Sequence, residues 1–319
     1  MKSVSSAPGK IILFGEHFIV YGGKAILCAI DRRITVESEL MDNGKIEITS
    51  SVGNALLSTS DQVSSVEPSL RPIVHLAKKI LAEYNSTSGI RIGISAEFPA
   101  GVGLGSSSAC CVAAASSILG LFADQTRDRV LELALEAERT VFESTSGADT
   151  TVCTLGGAIE YHRDGYAAKL DFEPNFTLIV ADSQISHSTS SVVSRVRKYK
   201  DNNPAIFSLL CTQEERLIED ALEALKNGDL RVVGQRMSQN QKYLEQIGVS
   251  NDKLNVMVDL AKSTSYGAKI TGAGDGGCII ALVDQSNIES TMKVLCESGH
   301  QCFGVKVDML GLQHKLELT

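Results

Sequence analysis

The segment 101–108 combines glycines and serines, which are typical of loops that bind phosphate through the backbone. It reads Gly101, Val102, Gly103, Leu104, Gly105, Ser106, Ser107 and Ser108. Glycines let backbone N–H groups approach a ligand closely, and the small residues that follow predict a buried helix, whose N-terminus attracts phosphate. Since no Gly-Lys-Ser/Thr follows, this is not a Walker-type loop. A flexible turn with serine N-caps is the alternative.

Glu138 is a candidate metal ligand because it lies within an apolar helical stripe. The residues three, four and seven positions away on its predicted helix are Leu131, Ala134, Leu135, Val141 and Phe142. A buried carboxylate requires a compensating partner. A Mg²⁺ ion shared with phosphates would be one, since such ions take one or two protein carboxylates. An internal salt bridge, or a helix that ends early and exposes Glu138, is the alternative.

Lys10 and Asp149 are charged residues in segments that are otherwise apolar or small. Lys10 enters an apolar run and needs a carboxylate partner, unless its ammonium group reaches solvent at the end of a strand. Asp149 lies in Ser-Gly-Ala-Asp-Thr-Thr, residues 146–151, where a cap or turn role is the local alternative. Neither residue predicts a function by itself.

A second glycine segment, residues 271–277, formally contains G-x-G-x-x-G. A dinucleotide-binding fold requires a helix after this motif. Residues 278–283 are short and apolar and predict a strand instead, so a nicotinamide-binding site is excluded.

Hydrophobic periodicity predicts an α+β chain rather than a regular βαβ repeat. The first half has predicted strands at 32–40, 45–49 and 89–96, helices at 69–84, 109–123 and 126–144, and a hairpin at 156–170. The second half has predicted helices at 212–226, 229–247, 252–263 and 287–298, and strands at 176–181, 268–271, 278–283 and, as the last, 302–307. A change of register near residue 172 predicts two domains, 1–172 and 173–319.

The composition excludes several classes of protein. The 319 residues carry a net charge of −8, which argues against non-specific nucleic-acid binding. The eight cysteines form no C-x-x-C pair and are interpreted as reduced thiols. Residues 1–9 lack the apolar core of a signal peptide, and no apolar run approaches membrane-spanning length. We therefore expect a cytoplasmic protein with no nucleic-acid or membrane partner.

Three separated segments together resemble the GHMP kinase family, whose members phosphorylate small alcohols such as galactose, homoserine and mevalonate. They are residues 7–17 (Ala-Pro-Gly-Lys-Ile-Ile-Leu-Phe-Gly-Glu-His), 99–108, and 269–278 (Lys-Ile-Thr-Gly-Ala-Gly-Asp-Gly-Gly-Cys). Their order and distances also match, so the resemblance covers nearly the whole chain. It implies a two-domain α+β fold with ATP and substrate in the interdomain cleft.

The resemblance also implies a role for each candidate residue. Asp149 would accept or orient the proton of the attacking hydroxyl and Lys10 would pair with Asp149, while the loop 101–108 would bind the ATP phosphates. Ser107 and Glu138 would hold Mg²⁺. The continuation Phe-Ile-Val-Tyr-Gly after His17, and the pair Ser-Thr at 188–189, are most similar to family members that act on mevalonate. Mevalonate is therefore the implied substrate, and its pocket would be lined by Glu16, His17 and Thr189.

Three positions depart from the family pattern. Asp275 replaces a glycine of the third segment, Ser108 replaces a frequent alanine, and Ser-His at 186–187 stands where a basic residue often occurs. The basic stretch 195–200 is either a solvated helix face, a mobile loop or a rim that attracts an anionic substrate, and Arg195 or Lys198 is a candidate for binding the substrate carboxylate.

Two alternative functions are left open by the sequence. One is a sibling kinase that acts on the 3-hydroxyl of mevalonate, on phosphomevalonate or on a sugar. The other is a non-catalytic sensor of ATP and a metabolite. A homodimer is among the oligomeric states that the sequence also leaves open.

Overall fold

Two β-sheets with helices packed against them make up the computed structural model, which describes residues 1–99, 101–142, 145–186 and 188–317. In chain order the strands are β1 (Lys2–Phe14), β2 (Lys24–Met41), β3 (Lys45–Ser50), β4 (Gly53–Ser58), β5 (Gly89–Ala96), β6 (Ala158–His162), β7 (Ala167–Lys169), β8 (Thr177–Asp182), β9 (Gly267–Ile270), β10 (Cys278–Val283), β11 (Cys302–Val305) and β12 (Gln313–Glu317). One sheet has the order β12-β1-β2-β5-β3-β4, with β6 paired to β2 and β7 to β6. The other has the order β11-β8-β10-β9.

The α-helices are divided between the two sheets. In chain order they are α1 (Arg71–Glu83), α2 (Ser106–Leu119), α3 (Arg127–Arg139), α4 (Ala148–Leu155), α5 (Thr189–Asn202), α6 (Pro204–Lys226), α7 (Leu230–Gln246), α8 (Asp252–Lys262) and α9 (Ile288–Glu297). In the described parts of the chain, no helix combines the length and the apolar character that a membrane span requires.

Helix α2 lies at the centre of the first half, where it packs against β1, β2, α1, α3 and α4. Its residues are small and apolar because neighbouring elements cover almost all of its surface, as a helix without a polar face requires. Its buried hydroxyls are paired: the Ser5 and Ser116 Oγ atoms are 2.8 Å apart, and Ser117 Oγ donates to the Ser3 carbonyl at 2.8 Å. The predicted phosphate loop therefore precedes a helix that is fixed on all sides.

The first and the last strand of the described chain are neighbours in the first sheet. Strand β12 pairs antiparallel with β1 in the first sheet, with Lys315 opposite Val4. The predicted domain boundary at 172/173 falls between β7 and β8 and stays a prediction. The segment 313–317, however, lies in the first sheet rather than with the second half of the chain.

Several predicted elements match the structure and others do not. Residues 278–283 do form a strand, β10, so the glycine segment before them does not begin a helix. The prediction that 302–307 is the last strand is wrong, because β12 follows it. Helix α4 was not predicted, since its small residues suggested a loop. The stretch 195–200 lies on α5, which confirms the helix alternative for it.

Candidate functional site

Lys10 and Asp149 form an ion pair at the centre of the candidate site. Lys10 lies on β1 with a side chain that is 4% exposed, whereas Asp149 lies in the first turn of α4 and is 35% exposed. The Lys10 Nζ is 3.1 Å from the Asp149 Oδ2. Because only the carboxylate is accessible, it is the partner that a bound hydroxyl could reach. The pair can accept a proton there and place positive charge beside the resulting oxygen.

The loop 101–105 packs over the Lys10 side chain. The Lys10 N–H donates to the Leu104 carbonyl at 2.9 Å. A Cβ on Gly105, which has a φ of +73°, would lie 2.6 Å from the Lys10 Cγ, so only glycine fits. A Cβ on Gly101 would meet nothing within 4 Å. The loop is therefore closed against Lys10 at one end and borders open space at the other.

Helix α2 begins at Ser106, directly after this loop, with free N–H groups in its first turn. Its N-cap residue, Gly105, makes no side-chain capping bond, so these N–H groups can bind an anion. Ser106 is half-buried and Ser107 is exposed. Within the described residues, the Ser107 hydroxyl forms no hydrogen bond. The predicted phosphate-binding segment thus presents both backbone donors and a hydroxyl beside the Lys10–Asp149 pair.

Glu138 is buried on α3, and its carboxylate accepts hydrogen bonds from three hydroxyl groups. Its Oε1 accepts from Ser108, and its Oε2 accepts from Thr145 at 2.9 Å and from Thr150 at 2.8 Å. In the described ranges it has no ion pair with a basic side chain, so the salt-bridge alternative is wrong there. Helix α3 does end early, at Arg139, but Glu138 stays buried. A buried carboxylate without a cation suits a divalent metal ion, which would compensate its charge.

The structure places Ser108, rather than Ser107, against Glu138. In the described residues, the predicted metal ligands Ser107 and Glu138 form no hydrogen bond with each other, although Ser107 is adjacent to Ser108. No cluster of three or more His, Cys, Asp or Glu side chains suited to a metal occurs in the described parts of the chain. Hydroxyl, phosphate and water oxygens would be able to complete the coordination of a metal bound by Glu138, since Mg²⁺ commonly takes such ligands.

Two contacts join strand β1 and the turn that follows it to strand β9 and the glycine segment that follows that strand. The Thr271 hydroxyl donates to the Ile12 carbonyl at 2.9 Å and accepts from the Ile12 N–H at 3.1 Å. Glu16 forms an ion pair with Lys269, and both side chains are 0% exposed. Glu16 therefore has a buried partner in the third sequence segment, and its predicted place in a substrate pocket stays a prediction. Lys269 was not predicted as a functional residue, although a lysine within a predicted buried strand is the same signal that singled out Lys10.

His17 provides a third link between these regions. It has a φ of +62° and its Nε2–H donates to the Ala273 carbonyl at 2.8 Å. Burial lowers the pKa of His17, which favours the neutral imidazole at pH 7. Its ring is thereby fixed between the turn after β1 and the second glycine segment.

Thr189 is the exposed first residue of α5, which Ser188 caps by accepting from the Ser191 N–H. Within the described part of the chain, Thr189 forms no hydrogen bond with the Lys10–Asp149 pair. The preceding His187 lies outside the described residues. The role of Thr189 in substrate binding stays a prediction.

Arg195 on α5 is engaged with the residue that departs from the family pattern. It donates to the Asp275 Oδ2 at 2.7 Å and to the Gly248 carbonyl at 3.1 Å. Asp275 has a φ of +61°, a left-handed conformation that aspartate tolerates better than most residues. The negative charge of Asp275 is therefore compensated by Arg195, and Arg195 is less available than Lys198 for a substrate carboxylate.

Comparison with known proteins identifies the family to which this arrangement corresponds. The family model described as GHMP kinases N terminal domain matches residues 71–157, and the one described as GHMP kinases C terminal matches residues 221–301. A mevalonate kinase of Thermococcus sibiricus is 33% identical, over 92% of this chain and 93% of its own. One from Aeropyrum pernix is 31% identical, over 95% of each chain. The crystal structure of L. major mevalonate kinase in complex with R-mevalonate is 26% identical, with a TM-score of 0.80, and covers 95% of this chain and 94% of its own.

Proposed function

The chain belongs to the GHMP kinase family, and we propose that it is a mevalonate kinase, which transfers the γ-phosphoryl group of ATP to the 5-hydroxyl of mevalonate in isoprenoid biosynthesis. Relatives over most of its length are mevalonate kinases, and one similar structure contains R-mevalonate. The observation that carries the proposal is the Lys10–Asp149 ion pair, 3.1 Å long, beside an uncapped helix N-terminus. It combines a proton acceptor, a positive charge and a phosphate site.

In the proposed reaction, Asp149 accepts the proton of the mevalonate 5-hydroxyl as this oxygen attacks the γ-phosphorus. The buried Lys10 ammonium group compensates the negative charge of the carboxylate and of the attacking oxygen. Phosphoryl transfer depends mainly on alignment and charge neutralisation, so the fixed position of Lys10 under the loop 101–105 is as important as its charge.

The phosphates of ATP would be bound by the loop 101–108 and the first-turn N–H groups of α2. Kinases of this family use ATP with a divalent metal ion, and we propose Mg²⁺ held by Glu138 and the Ser107 hydroxyl. When bound, it would neutralise phosphate charge. Ser108 and Thr150 donate to the two carboxylate oxygens of Glu138, and they therefore fix its orientation.

A substrate panel tests the proposed function. We expect ADP release from Mg-ATP with mevalonate, and none of comparable rate with phosphomevalonate, galactose or homoserine, with the product identified as the 5-phosphate by NMR. Turnover of another panel member alone would assign the protein to a sibling kinase. ATP binding without turnover of any of the four would favour a sensor.

Replacing Gly105 with alanine is expected to lower kcat/KM by about 10²-fold, the loss typical of a small misplacement of catalytic groups. The new Cβ would collide with the Lys10 side chain and would impose a left-handed conformation on alanine. Steady-state kinetics with both substrates would measure the loss. The matched control is Gly165→Ala in the hairpin between β6 and β7, where φ is +92° but no atom lies within 4 Å of the added Cβ. Equal losses in both variants would mean that backbone strain, and not the Lys10 contact, is responsible.

A further inference from the structure

A buried polar cluster lies between the turn 15–17 and the second half of the chain. Glu214 on α6 is 1% exposed, and its Oε1 accepts from the Gly15 N–H at 3.1 Å and from the Asn240 amide at 2.7 Å. Gly15 immediately precedes Glu16, whose carboxylate is paired with Lys269. Glu214 therefore binds the backbone of the same turn that carries Glu16 and His17.

This cluster has too many acceptors for its donors. In the described residues, the buried oxygens Glu16 Oε2, Glu214 Oε2 and Asn240 Oδ1 have no hydrogen-bond partner. The Lys269 ammonium group donates to Glu16 and to the Ile270 carbonyl at 2.7 Å. One additional proton on a carboxylate would supply a missing donor, and buried polar groups without partners are costly.

The charges of the cluster also favour a proton on one of its carboxyl groups. Among the described residues, Lys269 supplies the ammonium group bonded to this cluster, and the Lys10 ammonium group, which also acts on Glu16, is already paired with Asp149. Full ionisation of Glu16 and Glu214 would therefore leave one uncompensated negative charge in a buried site. His17, in the same turn, is bound to Ala273, and Cys211 lies on α6 itself. Charged groups on the neighbours of α6 act on other positions of this helix: Lys24 of β2 lies 3.6 Å from Glu219, Arg236 of α7 lies 3.0 Å from Asp220, and Lys200 of α5 acts on Cys211.

We propose that Glu214 stays protonated in the folded protein up to near-neutral pH, and that this neutral carboxyl group is a positioning residue that holds the turn 15–17 in the conformation that binds mevalonate. The part of this proposal that concerns mevalonate rests on the proposed function. Loss of the proton would place a second negative charge beside Glu16 and loosen the turn. The affinity for mevalonate should then fall at alkaline pH.

The pKa of Glu214 gives the pH window. Burial, with a smaller contribution from the charge of Glu16, raises the pKa of Glu214 from 4.5 to about 7, and the amide of Asn240 opposes this shift. The folded protein therefore binds this proton more tightly than the unfolded chain does. The contribution of this proton to the free energy of unfolding is fully present below pH 4.5, and it is lost as the pH rises to about 7.

The variant Glu214→Gln, which mimics the neutral carboxyl group, tests the proposal against Glu214→Leu, which removes the acceptor of the Gly15 N–H. From pH 6 to 9, the wild-type KM for mevalonate should rise, while that of Glu214→Gln should stay flat. Glu214→Leu should raise KM about tenfold at every pH, the effect of one buried donor left unpaired, and should change kcat less. Glu219→Gln, an exposed control on the same helix, should follow the wild type.

Two results would overturn the proposal: a Glu214→Gln variant that raises KM as much as Glu214→Leu, or one that keeps the wild-type pH profile. Thermal melting without substrate provides a readout that does not depend on mevalonate. Between pH 5 and 8, the Tm of the wild type should fall by roughly 5 °C relative to Glu214→Gln. This is the change expected when the stability that comes from the raised pKa of Glu214 is lost in a chain of this length. If this difference appears but mevalonate is not turned over, the proposed function fails and the protonation of Glu214 stands. If the difference is absent, Glu214 is not protonated and this proposal fails alone.

Discussion

Replacing Asp149 with asparagine is expected to lower kcat for mevalonate phosphorylation by roughly 10²–10⁴-fold, the usual contribution of a positioned general base. The amide cannot accept the hydroxyl proton, although it has nearly the same shape as the carboxylate. The KM for ATP should change little, because the phosphate loop and the N-terminus of α2 remain intact. Coupled ADP-release assays and ATP titrations measure the two effects separately.

The matched control for this substitution is Asp128→Asn. Asp128 also lies in the first turn of a helix, α3, so it shares the favourable interaction of an acidic residue with a helix N-terminus but not the contact with Lys10. It should retain wild-type kcat. A similar kcat for the two variants would remove Asp149 from the mechanism.

Replacing Lys269 with methionine is expected to destabilise the protein by about 3–5 kcal/mol, the loss typical of a buried ion pair that loses one partner. Glu16 would be left in a fully buried site without a compensating charge. Burial already raises the pKa of Glu16, and Lys269 opposes this effect, so the variant should take up a proton at Glu16. Its deficit in unfolding free energy should therefore be smaller at pH 5 than at pH 8. Denaturant titrations at both pH values would measure it.

Two comparisons separate the buried pair from ordinary surface charge. Lys293→Met removes an exposed ion pair with Glu297 at 3.7 Å and should cost at most about 0.5 kcal/mol. The double variant Glu16→Gln/Lys269→Met should recover part of the stability, because no uncompensated charge is left. If Lys269→Met were as mild as Lys293→Met, the Glu16–Lys269 pair would not be a source of stability.

Much of the fold followed from hydrophobic periodicity, because that signal is local. Strand β5 and helix α8 match their predicted bounds within a residue or so, and the strand nature of residues 278–283 was sufficient to exclude a dinucleotide fold. Helix α4 could not be predicted in this way. Its threonines, Asp149, Val152 and Cys153 are weak helix formers, and the packing of α4 against α2 and β1 outweighs that tendency.

The candidate site was predictable only where a charged residue interrupts an apolar pattern. Lys10 and Glu138 both showed this signal, and both are buried. Local sequence could not identify the partner of each residue, because the partners come from distant segments. Glu16 is joined to Lys269 across 253 positions, and Gly15 to Glu214 across 199 positions. The hydroxyl of Ser108 appeared to be a mild departure from the family, yet it contacts the carboxylate of Glu138.

The pairing of β12 with β1 has a consequence for biosynthesis. Strand β1, which carries Lys10, is synthesised long before β12, its neighbour in the first sheet. Until residues 313–317 emerge, one edge of β1 has unpaired N–H and C=O groups, a feature that promotes intermolecular association. Contacts of such long sequence separation also slow folding. The nascent chain should therefore depend on chaperones until β12 has emerged, and variants truncated before β12 should aggregate rather than lose activity alone.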